Sequence, residues 1–142
     1  MHSEFNASET EAFHSYQIWV YPKTQNVAPR YGAFNFAAED KLNTVLLALS
    51  PDGRNGSATI NQDAFFSVLT LQAGQTIIYN INLQGNGVYI HNGGGEVIIA
   101  NNTLAEGDAM GCYDTKEVSI TAVQTSELVF VEVPMQRGIK LN

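Results

Sequence analysis

An all-β sandwich or barrel is the fold this sequence predicts, and three observations predict it. Short apolar runs recur from residue 43 to residue 133, bounded by Gly, Asn, Asp or Pro, at the roughly 8–12-residue spacing of strands joined by turns. The composition is rich in turn formers and poor in charge: twelve Gly and thirteen Asn, with 15% charged residues against about 25% in an average chain. No strand–helix–strand alternation is present, which excludes a doubly wound nucleotide-binding fold.

The elements follow in order. Residues 1–15 are polar and lack periodicity. YQIWVYP (16–22) is β-prone and stops at Pro22, which predicts a strand. Residues 23–33, with Pro29 and Gly32, read as loop, and 34–43 as a turn or a helical turn. NTVLLALS (43–50) is an apolar run that ends in Ser50-Pro51-Asp52-Gly53, with Pro and Gly where a β-turn wants them. Arg54-Asn55-Gly56 adds a second turn. SATIN (57–61), AFFSVLTL (64–71), QTIIYNINL (75–83), GVYIHN (87–92), GEVIIAN (95–101), EVSITAV (117–123) and ELVFVEV (127–133) are the further strands. Asn101-Asn102 is the expected two-residue hairpin loop, since Asn tolerates positive φ. The last residues, MQRGIKLN, read as an edge strand, a helical turn or a disordered end.

Period-2 alternation assigns faces. Ile77, Tyr79, Ile81 and Leu83 form the better core face of their strand. In the last strand Val129, Val131 and Val133 are expected to point inward, and Leu128, Phe130 and Glu132 outward.

Length and charge narrow the function classes. A chain of 142 residues and 15.5 kDa supports one domain with its own core. A net charge of −7 argues against direct nucleic-acid binding and against anionic membrane surfaces, both of which need a basic footprint. No apolar run approaches the roughly 20 residues of a membrane-spanning helix. Residues 1–15 carry neither a basic nor an apolar leader region, so a soluble cytoplasmic protein is expected. A lone cysteine, Cys112, excludes an intrachain disulfide and a CxxC motif.

Few residues offer chemistry. His2 and Glu4 stand at i and i+2, so on an extended strand both project from one face and can share a metal. His14 lies on one face with Tyr16 and Ile18, and His91 with Tyr89; both read as packed or rim histidines. No His-x-His pair is present to complete a metal shell. No nucleophile elbow exists for a Ser/His/Asp hydrolase. Cys112 sits near acids and far from bases, which favours a structural role. Gly93-Gly94-Gly95 lacks the Lys-Ser/Thr of a phosphate loop. Glu39/Asp40 and Glu106/Asp108 lie in turns, where solvated acids are the norm.

Five stretches together resemble the pirin family: HSEFN (2–6), QIWVYP (17–22), APRY (28–31), SPDGRNGSATINQDA (50–64) and LAEGDAM (104–110). That family includes the pirin-like quercetin 2,3-dioxygenases, and the order and spacing resemble its C-terminal half. The resemblance implies a single cupin-type double-stranded β-helix, a jelly-roll barrel, over residues 16–134. Residues 1–15 would carry the remnant of an upstream cupin's metal site, and 135–142 a tail. It also implies that His2 and Glu4 match two of the four iron ligands of the N-terminal barrel, whose His-x-His pair would lie upstream.

Three functions follow from the resemblance. In the first, the chain is a C-terminal cupin without autonomous catalysis, structural or ligand-binding, with an apolar interior lined by Ile77, Tyr79 and Val97; no cofactor is expected on it alone. In the second, a partner chain with the His-x-His cupin completes an iron-dependent quercetin 2,3-dioxygenase site. In the third, the chain is an interaction module, homodimeric or paired with an N-terminal-type cupin chain.

Overall fold

A computed structural model describes residues 5–135; His2, Glu4 and the tail beyond Met135 lie outside the described residues. Ten strands form: β1 (Leu46–Ser50), β2 (Ala58–Thr59), β3 (Phe65–Leu71), β4 (Thr76–Asn80), β5 (Asn86–Gly94), β6 (Val97–Ile99), β7 (Asn102–Leu104), β8 (Ala109–Cys112), β9 (Glu117–Ala122) and β10 (Ser126–Pro134). A six-stranded sheet runs β2-β1-β3-β10-β5-β8 and a four-stranded sheet runs β4-β9-β6-β7. All pairings between these strands are antiparallel except β1 with β2. Among the described residues no helix is long and apolar enough to cross a membrane.

The core lies between the two sheets. Leu69, Leu71, Ile90, Leu128 and Phe130 come from the larger sheet, and Tyr79, Val97, Ile99, Val118 and Ile120 from the smaller. Tyr79 stacks on Phe130 at 4.7 Å between ring centroids, bridging the layers. The face assignment for the fourth strand holds: Tyr79 is buried and Ile77 and Ile81 pack against the core.

The assignment for the last strand is reversed. Leu128, Phe130 and Glu132 point into the core and are buried, whereas Val129, Val131 and Val133 lie on the outer, half-buried face. Over residues 128–133 both faces are apolar apart from Glu132, so alternation alone favoured the face without a carboxylate. The carboxylate goes in because donors are waiting for it, as described below.

Three further differences arise in the turns and the leading segment. The hairpin between β6 and β7 turns on Ala100 and Asn101, both at positive φ, because Ile99 pairs with Asn102; the loop sits one residue earlier than expected. Strands β7 and β8 were too short to stand out beside the turn between them. There the Ala105 amide donates to Asp108 Oδ2 at 2.9 Å and Gly107 takes a φ of 88°. The third difference is the segment Tyr16–Pro22, which has no regular secondary structure and forms no strand. Its β-prone residues find no sheet edge within the described chain, and a strand is stabilised only by a hydrogen-bonded neighbour.

That leading segment is an arm laid across the larger sheet and tacked down by polar contacts. Gln62 Nε2 donates to the Tyr21 carbonyl, Lys23 pairs with Asp63, and Arg30 donates to Thr59. Trp19 (81% exposed), Tyr21 (87%) and Tyr31 (98%) remain in solvent. As expected, residues 34–43 hold only a single helical turn, Glu39–Lys41.

Candidate functional site

Two places concentrate functional groups, one inside the barrel and one outside. Inside, Glu132 is fully buried and receives five donors. They are the Tyr79 hydroxyl at 2.9 Å, the Asn82 amide at 3.0 Å, Asn82 Nδ2 at 2.8 Å, the Leu83 amide at 3.2 Å and Asn86 Nδ2 at 2.9 Å. A buried carboxylate is tolerated only when its lone pairs are filled by donors. Here those donors come from the end of β4, the loop after it and the start of β5. Burial, reinforced by the Glu132 charge, pushes the Tyr79 phenol far above its ordinary range, so it stays a hydrogen-bond donor. The group is an anchor that closes one end of the barrel.

Asn92 plays a similar part at the other end. It is buried and its Nδ2 donates to the Gly95 and Leu104 carbonyls at 3.0 and 3.1 Å, tying β5 to the β6–β7 hairpin. Among the described residues no buried side-chain nitrogen or oxygen lacks a hydrogen-bond partner.

The conspicuous SPDGRNGS stretch is also structural. Ser50 Oγ accepts from the Gly53 amide at 2.9 Å and lies 2.7 Å from Ser57 Oγ. Arg54 binds both carboxylate oxygens of Asp52, through Nε at 2.9 Å and a terminal nitrogen at 2.8 Å. That guanidinium holds the Asp52 carboxyl well below the usual carboxylate range. Arg54 also lies over the Phe65 ring, 5.3 Å from its centroid. Ser50, Asp52, Arg54 and Ser57 thus each have a partner within the turn.

The candidate metal ligands do not converge in what is described. His2 and Glu4 fall outside the described residues, His14 is exposed on the arm, and His91 is on the outer face of β5. No group of three or more His, Cys, Asp or Glu side chains able to hold a metal occurs among the described residues. The described donor set therefore does not fit an iron ion. Asp40 caps its turn by accepting from the Ala37 amide at 3.2 Å, and Asp108 holds its own, so two of the four paired acids serve as turn caps. Burial raises the Cys112 thiol above its ordinary value, consistent with an unreactive side chain.

Outside, the arm and the sheet enclose a groove of about 440 Å³. Its floor is Val129, Val131, Tyr89 and His91, and its wall is Tyr16 to Trp19. The Tyr16 hydroxyl and His91 Nε2 lie 3.2 Å apart, with the rings edge to face at 5.0 Å. The sequence placed His91 and Tyr89 on one face correctly. The groove itself was not visible there, because it depends on the arm crossing the sheet as an unpaired segment.

A two-sheet cupin barrel with an arm in front defines the class of protein. The profile of a quercetinase C-terminal cupin domain matches residues 47–133, and the chain belongs to that pirin-like family. It is 32% identical over 133 residues to a quercetin 2,3-dioxygenase of Escherichia coli, covering 94% of this chain and 56% of that protein. A pirin-like protein of Caulobacter vibrioides is 31% identical over 132 residues, covering 92% of this chain and 56% of that protein. Among solved structures, YhhW from Escherichia coli superposes with a TM-score of 0.76 at 26% identity, over 85% of this chain and 50% of YhhW. A nickel(II) complex of YhhW superposes with a TM-score of 0.72 at 27% identity, over 80% of this chain and 47% of YhhW. The chain thus spans a little over half the length of the curated relatives it matches.

Proposed function

We propose that this chain is the C-terminal cupin half of a pirin-like protein and does not catalyse by itself. One observation carries the reading: the one buried carboxylate among the described residues, Glu132, is consumed by five protein donors. Tyr79 and Val97 are buried in the core cluster and Ile77 packs against it. Its contribution is then structural, a rigid half against which a second cupin can be held. The coverage of 56% of each relative supports this.

A second reading is favoured by the relatives named quercetin 2,3-dioxygenase. In it, a partner chain of the N-terminal cupin type supplies the His-x-His pair, and iron is bound only in the assembled pair. The solvent-exposed Tyr21 and Tyr31 of the arm favour such a protein partner, since aromatic side chains are enriched at interfaces.

One experiment separates the two. The purified chain is assayed for bound iron and for oxygen consumption with quercetin, alone and mixed with a His-x-His cupin chain. Neither alone, but both on mixing, supports the second reading. Neither in either case supports the first. Stoichiometric iron with oxygen consumption by the chain alone overturns both.

A further inference from the structure

We propose that the pocket between Arg30 and the β1–β2 edge of the larger sheet binds a short aliphatic carboxylate, its charged end on the Arg30 guanidinium. This is independent of the structural role above and lies away from the barrel interior.

Arg30, in the stretch Ala28-Pro29-Arg30-Tyr31, holds a charge with no counter-charge among the described residues. Lys23, Lys41 and Arg54 each pair with a carboxylate. Arg30 meets only the hydroxyl of Thr59 and the carbonyl of Thr59, the latter at 3.2 Å. Those bonds take one hydrogen from each terminal nitrogen. The Nε–H and a parallel N–H beside it stay available, and that fork fits a carboxylate with two bonds. Thr59 also fixes the plane of the group, which spares a ligand much of the cost of ordering it.

The pocket beside the guanidinium is small and has apolar walls. Its volume is about 290 Å³, and Phe34, Leu49 and Ala58 supply its apolar surface. Small-molecule sites span roughly 300–1,000 Å³, so this one suits a ligand of few atoms. Leu49 and Ala58 stand directly opposite each other across β1 and β2 and make one aliphatic floor. Gly32 seats the Phe34 ring, since a Cβ there would lie 3.0 Å from Phe34 Cε2.

Charge selects the class. The chain carries a net −7, yet no residue lining this pocket is Asp or Glu. A carboxylate therefore meets one full charge there, of opposite sign, and an ammonium meets one of its own sign. A neutral amide keeps the apolar contacts but loses the ionic part of the hydrogen bonds, about half their strength.

The test titrates the isotope-labelled full chain with sodium hexanoate at low salt and follows the amide resonances. Saturable shifts are expected at Gly32, Ala58 and Thr59. Hexanamide should bind at least about fivefold more weakly, and acetate at least about tenfold more weakly for want of the apolar chain. Hexylammonium should leave these resonances unmoved. Added salt should weaken hexanoate, because Arg30 is exposed. Arg30→Lys keeps the charge without the fork and should weaken hexanoate about fivefold. Arg30→Met should abolish the shifts, and Lys116→Met, an exposed base elsewhere, should change nothing. If Arg30→Met fails to melt cooperatively, the native chain's preference for hexanoate over hexanamide decides alone. Absence of saturable shifts, equal affinity for hexanamide, or unchanged binding in Arg30→Met overturns the proposal. So do shifts that follow protein concentration and ignore hexanoate, which would mean that a carboxylate of a second copy occupies Arg30.

Discussion

The Tyr79 hydroxyl donates to Glu132 Oε2 at 2.9 Å across the interior, joining a strand of the small sheet to the last strand of the large one. The same Tyr79 ring stacks on Phe130, so one side chain links the sheets by both packing and polarity. Tyr79→Phe keeps the stack and removes the hydrogen bond. Urea unfolding should report a loss of about 1–2 kcal/mol, the cost of leaving one acceptor of a buried carboxylate underfilled.

The same link makes the fold sensitive to alkali. The folded phenol has its pKa raised above the unfolded value near 10, so its contribution is present below pH 10. It is lost as pH rises from there toward the folded pKa, since only the unfolded chain releases the proton. Thermal melts of the native protein should therefore fall more steeply between about pH 10 and 11.5 than those of Tyr79→Phe. Parallel slopes would count against the buried phenol.

Removing the anchor itself should cost more. Glu132→Ala removes the acceptor of the Asn82 and Leu83 backbone amides and one of the two acceptors of Asn82 Nδ2 and of Asn86 Nδ2. A loss of about 3 kcal/mol or more is expected in chemical denaturation. Val131→Thr, on the opposite face of the same strand, should cost under about 1.5 kcal/mol. An equal loss at both positions would contradict the observed facing of β10.

Two glycines at positive φ offer a matched pair. Gly95 (φ 81°) has no room: a Cβ would lie 2.2 Å from the Thr125 carbonyl oxygen. Gly74 (φ 79°) has open space around it. Gly74→Ala should cost about 1 kcal/mol, from backbone strain alone. Gly95→Ala should cost about 3 kcal/mol or more, because steric overlap adds to the strain. Melting temperatures of the two variants, measured side by side, check this.

At acid pH the Asp52–Arg54 fork should be felt. Asp52 has a depressed folded pKa, so its contribution is present above the unfolded pKa of about 3.9 and is lost as pH falls through the folded value. The stability gap between the native protein and Asp52→Asn should shrink below about pH 4. Added salt should narrow it as well, because the pair is exposed.

Much of this fold was legible in the sequence because period and punctuation agreed. The core face of β4 followed from alternation, and the turns at Gly53 and Gly56 from their residue types; both sit at positive φ. The facing of β10 was not legible, since Glu132 goes inward only once Asn82, Leu83 and Asn86, some fifty residues away in sequence, are in place. The strand expected at Tyr16–Pro22 reads as a strand on propensity, but propensity cannot supply a neighbouring edge. The candidate site divides in the same way. His91 could be placed on an outward face, but its meeting with Tyr16, across 75 residues, depends on the path of the arm.

Strand β10 is the last strand among the described residues and yet lies in the middle of the larger sheet, paired with β3 on one side and β5 on the other. During synthesis β3 and β5 leave the ribosome with an empty lane between them, and neither can complete its pairing until β10 clears the exit tunnel. Until then β3 and β5, paired on their other sides with β1 and β8, each keep one apolar edge open, in a topology whose long-range pairing is slow to form. Stop codons or ribosome stalling anywhere before residue 126 should therefore yield no partly working barrel, only a substrate for chaperones and proteases.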